Sequence, residues 1–399
     1  MTDFLTFLAA LVAVNLLLSW RVVVAGKQVH LPVGMLLAAI WMFPIGGVLV
    51  AVMSLPWRRV GTRGTSDDAQ WRDRSGERGP APEELAHPAG GVPFSVMDHL
   101  QWGHELPVLD WPALDRWARG SEASPASEGQ RIAALEAGRR AWLQHLAEAL
   151  GPHMGLLETD DAWVLSSLPG REERATAQYV HTARTRIGRL LGALASFPAG
   201  QRSLVLVLDS EDDYYRYVSL YYPDGEFATS GGMFIDAGCP HFVVVRAHLG
   251  AIEPVIAHEL THSALAHLRL PRWLDEGIAV NSERRVAGPQ PSLHTAMELH
   301  ALLREHWSAA KVQLLWSGES FLRADDDTLL SYELARILVE QMSRDWDGFA
   351  TFVRAAAHAM DAGAAAARDA LGVDLGASAA ALVEAPSPDG WAPQPELWR

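Results

Sequence analysis

Two histidines and a glutamate in one short stretch, Ile256-Ala257-His258-Glu259-Leu260-Thr261-His262, are the residues of this chain best suited to chemistry. They read H-E-x-x-H. On a helix, side chains four residues apart leave the same face, so the imidazoles of His258 and His262 can share one Zn²⁺. Glu259 sits beside His258 and can reach a water at that metal as a general base. Catalytic zinc sites take a third protein ligand and keep one position for water. The nearest candidate is Glu276, in Pro271-Arg272-Trp273-Leu274-Asp275-Glu276-Gly277-Ile278-Ala279. A bare H-E-x-x-H arises by chance often enough that its context has to carry weight. Here Ile252, Val255, Ile256, Leu260, Leu265 and Leu268 recur at helical spacing, Pro254 suits a first helical turn, and Pro271 stops the helix soon after the motif.

H-E-L-T-H from His258 to His262, followed by P-R-W-L-x-E-G-x-A from Pro271 to Ala279, resembles the gluzincin metallopeptidases and, within them, the bacterial peptidase-MA-like domains. The resemblance runs from about Trp163 to Met342 and is sharp between His258 and Ala279. It implies that His258, His262 and Glu276 hold zinc and that Glu259 activates water. Many gluzincins carry an acidic residue one turn after the third ligand. This chain has Val280 there, and Glu283 or Asp275 are the acidic groups at hand to replace it. Related enzymes also use a Tyr or His from a later helix to stabilise the oxyanion. Tyr332, opening Ser331-Tyr332-Glu333-Leu334-Ala335, is the candidate; the plainer role is a tyrosine packed at a helix start.

The elements that must position these groups make the fold class α+β: a small mixed sheet with active-site helices, then an α-helical C-terminal region. Ser203–Leu208 is a run of apolar residues that reads as a buried strand. Ala162–Leu168, Phe227–Asp236 and His241–Arg246 read as further strands. The last two directly precede the metal helix, where gluzincins place a sheet edge that pairs with an extended peptide. Helices are expected over Glu128–Leu150, Glu172–Leu194, Glu211–Tyr222, Pro291–Trp307, Thr328–Met342, Asp347–Met360 and Ala364–Val383. Tyr214, Tyr215 and Tyr217 read as residues at the edge of the core.

Ahead of these lie two apolar runs, Phe4–Trp20 and Leu31–Leu55, each near the ~20 residues that span a bilayer. They predict an N-terminal two-helix membrane hairpin. Arg and Lys counts around it place the remainder of the chain in the cytoplasm, and the resemblance to bacterial domains implies a bacterial inner membrane. The expected organisation is a hairpin over 1–57, a flexible linker over 58–92, a helical and mixed part over 93–200, the metallopeptidase core over 201–285, a helical subdomain over 286–384 and a loose tail over 385–399. A formal net charge of −15 supplies no basic face for nucleic acid. The single cysteine, Cys239, excludes an internal disulfide and reads as a small buried residue. Together these features predict a membrane-anchored zinc metallopeptidase with a peptide or protein substrate. The alternative is an inactive descendant that keeps zinc for stability and binds a partner.

Overall fold

In the computed structural model, Ser203–Leu208 forms the middle of a five-stranded mixed sheet, its apolar residues buried on both faces. The structure describes residues 73–121, 124–197, 202–223, 231–290, 294–323 and 326–398. The sheet strands are β1 (Gly155–Glu158), β2 (Ala162–Ser166), β3 (Ser203–Leu208), β4 (Gly232–Ile235) and β5 (His241–Val245), in the order β4-β5-β3-β2-β1. The inner three are parallel, and both edges are antiparallel. Parallel strands need cover on both sides, which explains why β2 and β3 show no polar alternation. Leu204, Leu206, Trp163 and Leu165 face one cluster, and Val205, Val207, Val164 and Phe242 face the other.

The helices are α1 (Trp111–Ala118), α2 (Glu128–Leu150), α3 (Gly170–Leu191), α4 (Glu211–Val218), α5 (Leu249–Leu265), α6 (Arg272–Val286), α7 (Ala296–His306), α8 (Val312–Ser317), α9 (Asp326–Met342), α10 (Trp346–Ala355), α11 (Ala364–Leu371) and α12 (Leu375–Leu382). Helix α2 packs on the first sheet face through Trp142 and Leu146. Helices α3 and α5 cover the second through Val180, Ile187, Ile252, Ile256 and Leu260. Helix α6 then packs on α5, and α9 packs on α6, so α5 is buried nearly all round rather than along one stripe.

Several expectations need correction. The architecture is α+β, but no helix among the described residues is long and apolar enough to cross a membrane. Helices α2 and α3 have the length, yet charged residues such as Arg131, Glu136, Arg140, Glu172, Arg184 and Arg189 stud both. The two runs read as a membrane hairpin lie outside the described residues. The described part of the supposed linker is anchored: Arg74 is buried, and its guanidinium binds both carboxylate oxygens of Glu173 at 3.0 and 2.7 Å. No boundary falls at residue 200, because strands from both sides of it share one sheet. Helix α5 begins at Leu249, which puts Pro254 inside it, where the missing N–H leaves the Gly250 carbonyl without its helical donor. The expected Ala364–Val383 helix is two helices, broken at Gly372 with φ 65°. The tail is not loose: Trp391 is 4% exposed. The Trp391 carbonyl accepts from Trp316 Nε1 at 2.9 Å, and Gln313 Nε2 donates to the Ala392 carbonyl at 2.9 Å.

Candidate metal centre

Helix α5 carries His258, Glu259 and His262; helix α6 carries Asp275, Glu276 and Glu283. The two are joined by the helical turn Ala266–Leu268 and by Arg269, whose left-handed conformation (φ 48°, ψ 59°) reverses the chain. Pro271 then starts α6, and the fully buried Trp273 pins it. The indole of Trp273 meets Trp316 edge to face at 5.4 Å and donates to the Ala362 carbonyl at 2.9 Å.

The consequence is convergence. Nε2 of His258 and Nε2 of His262 each lie 3.3 Å from the same oxygen of Glu276, Oε2. Among the described residues these three are the group of His, Cys, Asp or Glu side chains that could hold a metal, with ligand atoms within 4.8 Å of one another. The outer nitrogens are also engaged. Nδ1 of His258 donates to Glu283 at 3.2 Å, and Nδ1 of His262 donates to Asp275 at 2.8 Å. A carboxylate on Nδ1 fixes the tautomer that leaves the Nε2 lone pair directed at the centre and raises the ligand's basicity. Sequence reading named Asp275 and Glu283 as alternatives for one role. The structure places them in two roles, one behind each histidine.

The electrostatics follow from four carboxylates around two imidazoles. Burial would lower the His258 imidazole, but hydrogen bonds to Glu276 and Glu283 outweigh it and raise it to about 9. Burial likewise opposes charge on His262, and Asp275 and Glu276 hold it well above its usual value. Glu276 is pushed up by burial and pulled further down by the two imidazoles, to below the ordinary carboxylate range. Without a cation, the negative charge here must be answered by protons on the histidines. A divalent cation answers it directly, so the donor set fits a metal such as zinc.

No protein-family model and no curated protein matches this sequence.

The centre opens into a cleft of about 500 Å³. The edge strand β4 lines it with Gly232, Met233 and Phe234, and Phe321 and Tyr332 line it as well. Gly232 is required there: a Cβ on it would come within 2.3 Å of Val255 Cγ1 on α5. Glu259, 6% exposed, lines the cleft, and its carboxylate accepts from the Phe234 backbone N–H. Burial raises its pKa despite the nearby imidazoles. The Tyr332 ring lies edge to face with His258 at 6.1 Å and with Phe321 at 5.3 Å. Burial first, then the Glu276 and Glu259 carboxylates, keep its hydroxyl protonated far above neutrality.

Sequence spacing assigns no role to three cleft residues, Arg272, Tyr222 and Phe321. Arg272 lines the cleft and is the cation that acts on the Tyr332 hydroxyl. Tyr222 also lines the cleft, whereas Tyr214 and Tyr217 are fully buried, with Tyr217 Oη 2.7 Å from His241 Nε2. Nothing in the local spacing of these tyrosines separates the one from the others. Cys239 is buried, and burial pushes its thiol up to about 12.

Proposed function

We propose that this protein is a zinc-dependent metallopeptidase. One observation carries the reading: a buried carboxylate, Glu259, stands in the same cleft as three convergent ligand atoms without being one of them. A site that served stability alone has no use for a base at that place. His258, His262 and Glu276 would hold the ion. When bound, the ion supplies a Lewis acid for water and for a peptide carbonyl.

The chain's own groups do the rest. Glu259 takes a proton from water on its carboxylate and hands it to the leaving amine; its raised pKa brings it closer to the working range of a general base. The Tyr332 hydroxyl, kept protonated, donates to the oxygen on which negative charge develops. Among the described residues the sheet ends at strand β4, which would let an extended peptide lie along it across the cleft. The resemblance to gluzincins in H-E-L-T-H and W-L-x-E-G supports the same assignment.

Glu259→Gln tests it. The amide keeps the shape and removes the base, so zinc content should be unchanged while peptide hydrolysis falls about 10²–10⁴-fold. Glu276→Gln should lose both, because an amide is the poorer ligand. Equal hydrolysis by wild type and Glu259→Gln, each holding one zinc by elemental analysis, sinks the proposal and leaves a zinc-stabilised binding domain.

A further inference from the structure

A second cavity, of about 380 Å³, adjoins the cleft. Phe234 and Ala266 line both. It lies one turn further along α5, beyond His262, where Asp236 follows the last residue of β4. Its charge is opposite to its neighbour's. The cleft gathers Glu259, Asp275, Glu276 and Glu283 against Arg272; the cavity gathers Arg184, Arg202 and Arg269 against Asp236. In a chain of net charge −15 such a reversal is local and specific.

The three arginines are not equivalent. Arg202 is already paired with Glu136. Arg184, half-buried, sits 4.8 Å over the Phe197 ring and donates from Nη1 to the neutral oxygens of the Asp161 carbonyl and Ser203, at 3.2 and 3.0 Å. Arg269 is exposed and makes no ion pair with a described residue. Its left-handed backbone is uncommon for a residue with a side chain, and the His358 N–H, donating to its carbonyl at 3.1 Å, helps to hold it. Glycine would adopt this turn without strain, whereas Arg269 adopts it at a conformational cost and places a guanidinium at the cavity wall.

An extended peptide along β4 advances as the strand does, about 3.3 Å per residue. The residue that reaches Asp236 is therefore about two positions from the one opposite Phe234 and Glu259. We propose that this cavity is a selectivity subsite for a carboxylate of the peptide, received by Arg269 with Arg184 behind it. A carboxylate held there would set the register of the peptide along β4. The subsite rests on the peptidase reading for its purpose, and its occupancy can be measured without catalysis.

The test uses the full chain carrying Glu259→Gln, zinc-supplemented, and fluorescein-labelled Gly/Ala octapeptides with a single Glu, Ala or Lys placed at each position in turn. One set ends in an amide and one in a free carboxylate. Fluorescence anisotropy should show about fivefold tighter binding for Glu at one position than for Ala there, and weaker binding for Lys. A gain confined to the free-acid set would identify the chain terminus as the source of the carboxylate. Arg269→Lys should keep the preference, and Arg269→Glu should invert it toward Lys, which a merely structural role for Arg269 would not do. Equal affinities at every position and both termini, no binding at all, or a preference that survives Arg269→Glu would overturn the subsite. Hydrolysis of the same peptides by the wild type reports separately on the peptidase reading.

Discussion

At the residue scale, the features written most openly are those that chemistry restricts to few residue types. His258, His262 and Glu276 can be found by type and spacing, because a metal accepts few donors and a helix offers few faces. Their partners are less visible. Asp275 and Glu283 stand one residue before and two turns after Glu276, and only the angle between α5 and α6 assigns each to its own histidine. Arg272 belongs to the same class: its presence in the cleft depends on where α6 begins. The carboxylate–histidine pairs make a specific prediction. Asp275→Asn and Glu283→Gln should each weaken zinc binding by about 10–100-fold while the protein stays folded. Competition with a chromogenic chelator measures this, and wild-type affinity in both variants would show the pairs to be incidental.

At the scale of elements, the longer helices and the central strands followed from periodicity; the short elements Trp111–Ala118, Gly155–Glu158 and Val312–Ser317 did not, nor did most ends. The start of α5 was misplaced because Pro254 looks like an N-terminal signal, whereas burial of Ile252, Ile256 and Leu260 holds a helix through it. The segment 385–399 is rich in proline, which favours a loose tail, but burial of Trp391 fixes it to the fold. Gly277 shows a similar gap between a residue's type and its meaning. In sequence it is a motif letter; in the fold, a Cβ there would lie 2.7 Å from the Ala335 carbonyl oxygen and 2.7 Å from Val339 Cγ2. Both belong to α9, the helix that presents Tyr332, and Asn281 ties the same pair of helices by donating to the Gly277 and Arg336 carbonyls at 2.7 and 2.9 Å. Gly277→Ala should therefore cost about 1–3 kcal/mol of stability by overpacking. It should also lower the hydrolysis rate more than zinc affinity, since α9 moves and the ligands do not. Urea titration and zinc titration of the one variant separate the two effects, and unchanged activity would detach Tyr332 from the reaction.

At the scale of the whole molecule, the sheet order and the anchoring of Arg74 on Glu173 could not be read locally, since each joins residues far apart in the chain. One such long-range contact carries a pH dependence. His241, on β5, is fully enclosed, with Nδ1 donating to the Cys239 carbonyl at 2.7 Å and Nε2 accepting from Tyr217 Oη at 2.7 Å. Burial lowers its pKa from 6.5 to about 4. The unfolded chain thus binds a proton between those values that the folded chain refuses. Stability from this group is complete above about pH 6.5 and is lost as pH falls toward 4, by about 1–3 kcal/mol. Urea midpoints at pH 7 and pH 5 should fall further apart for the wild type than for His241→Gln; parallel shifts in the two proteins would refute the assignment.

All the groups proposed to hold or brace an ion lie between His258 and Glu283, on two consecutive helices joined by a short turn. The sheet, by contrast, has to bring Gly155 and Val245 into one layer across much of the chain. Closing a short loop costs less entropy than closing a long one, and local contacts form sooner. Ion capture and sheet assembly are therefore separable events in folding, with the helical pair able to form first. Zinc present at the start of refolding should accelerate the appearance of helical circular dichroism more than zinc added afterwards; identical traces for the two orders of addition would show that the pair waits for the sheet.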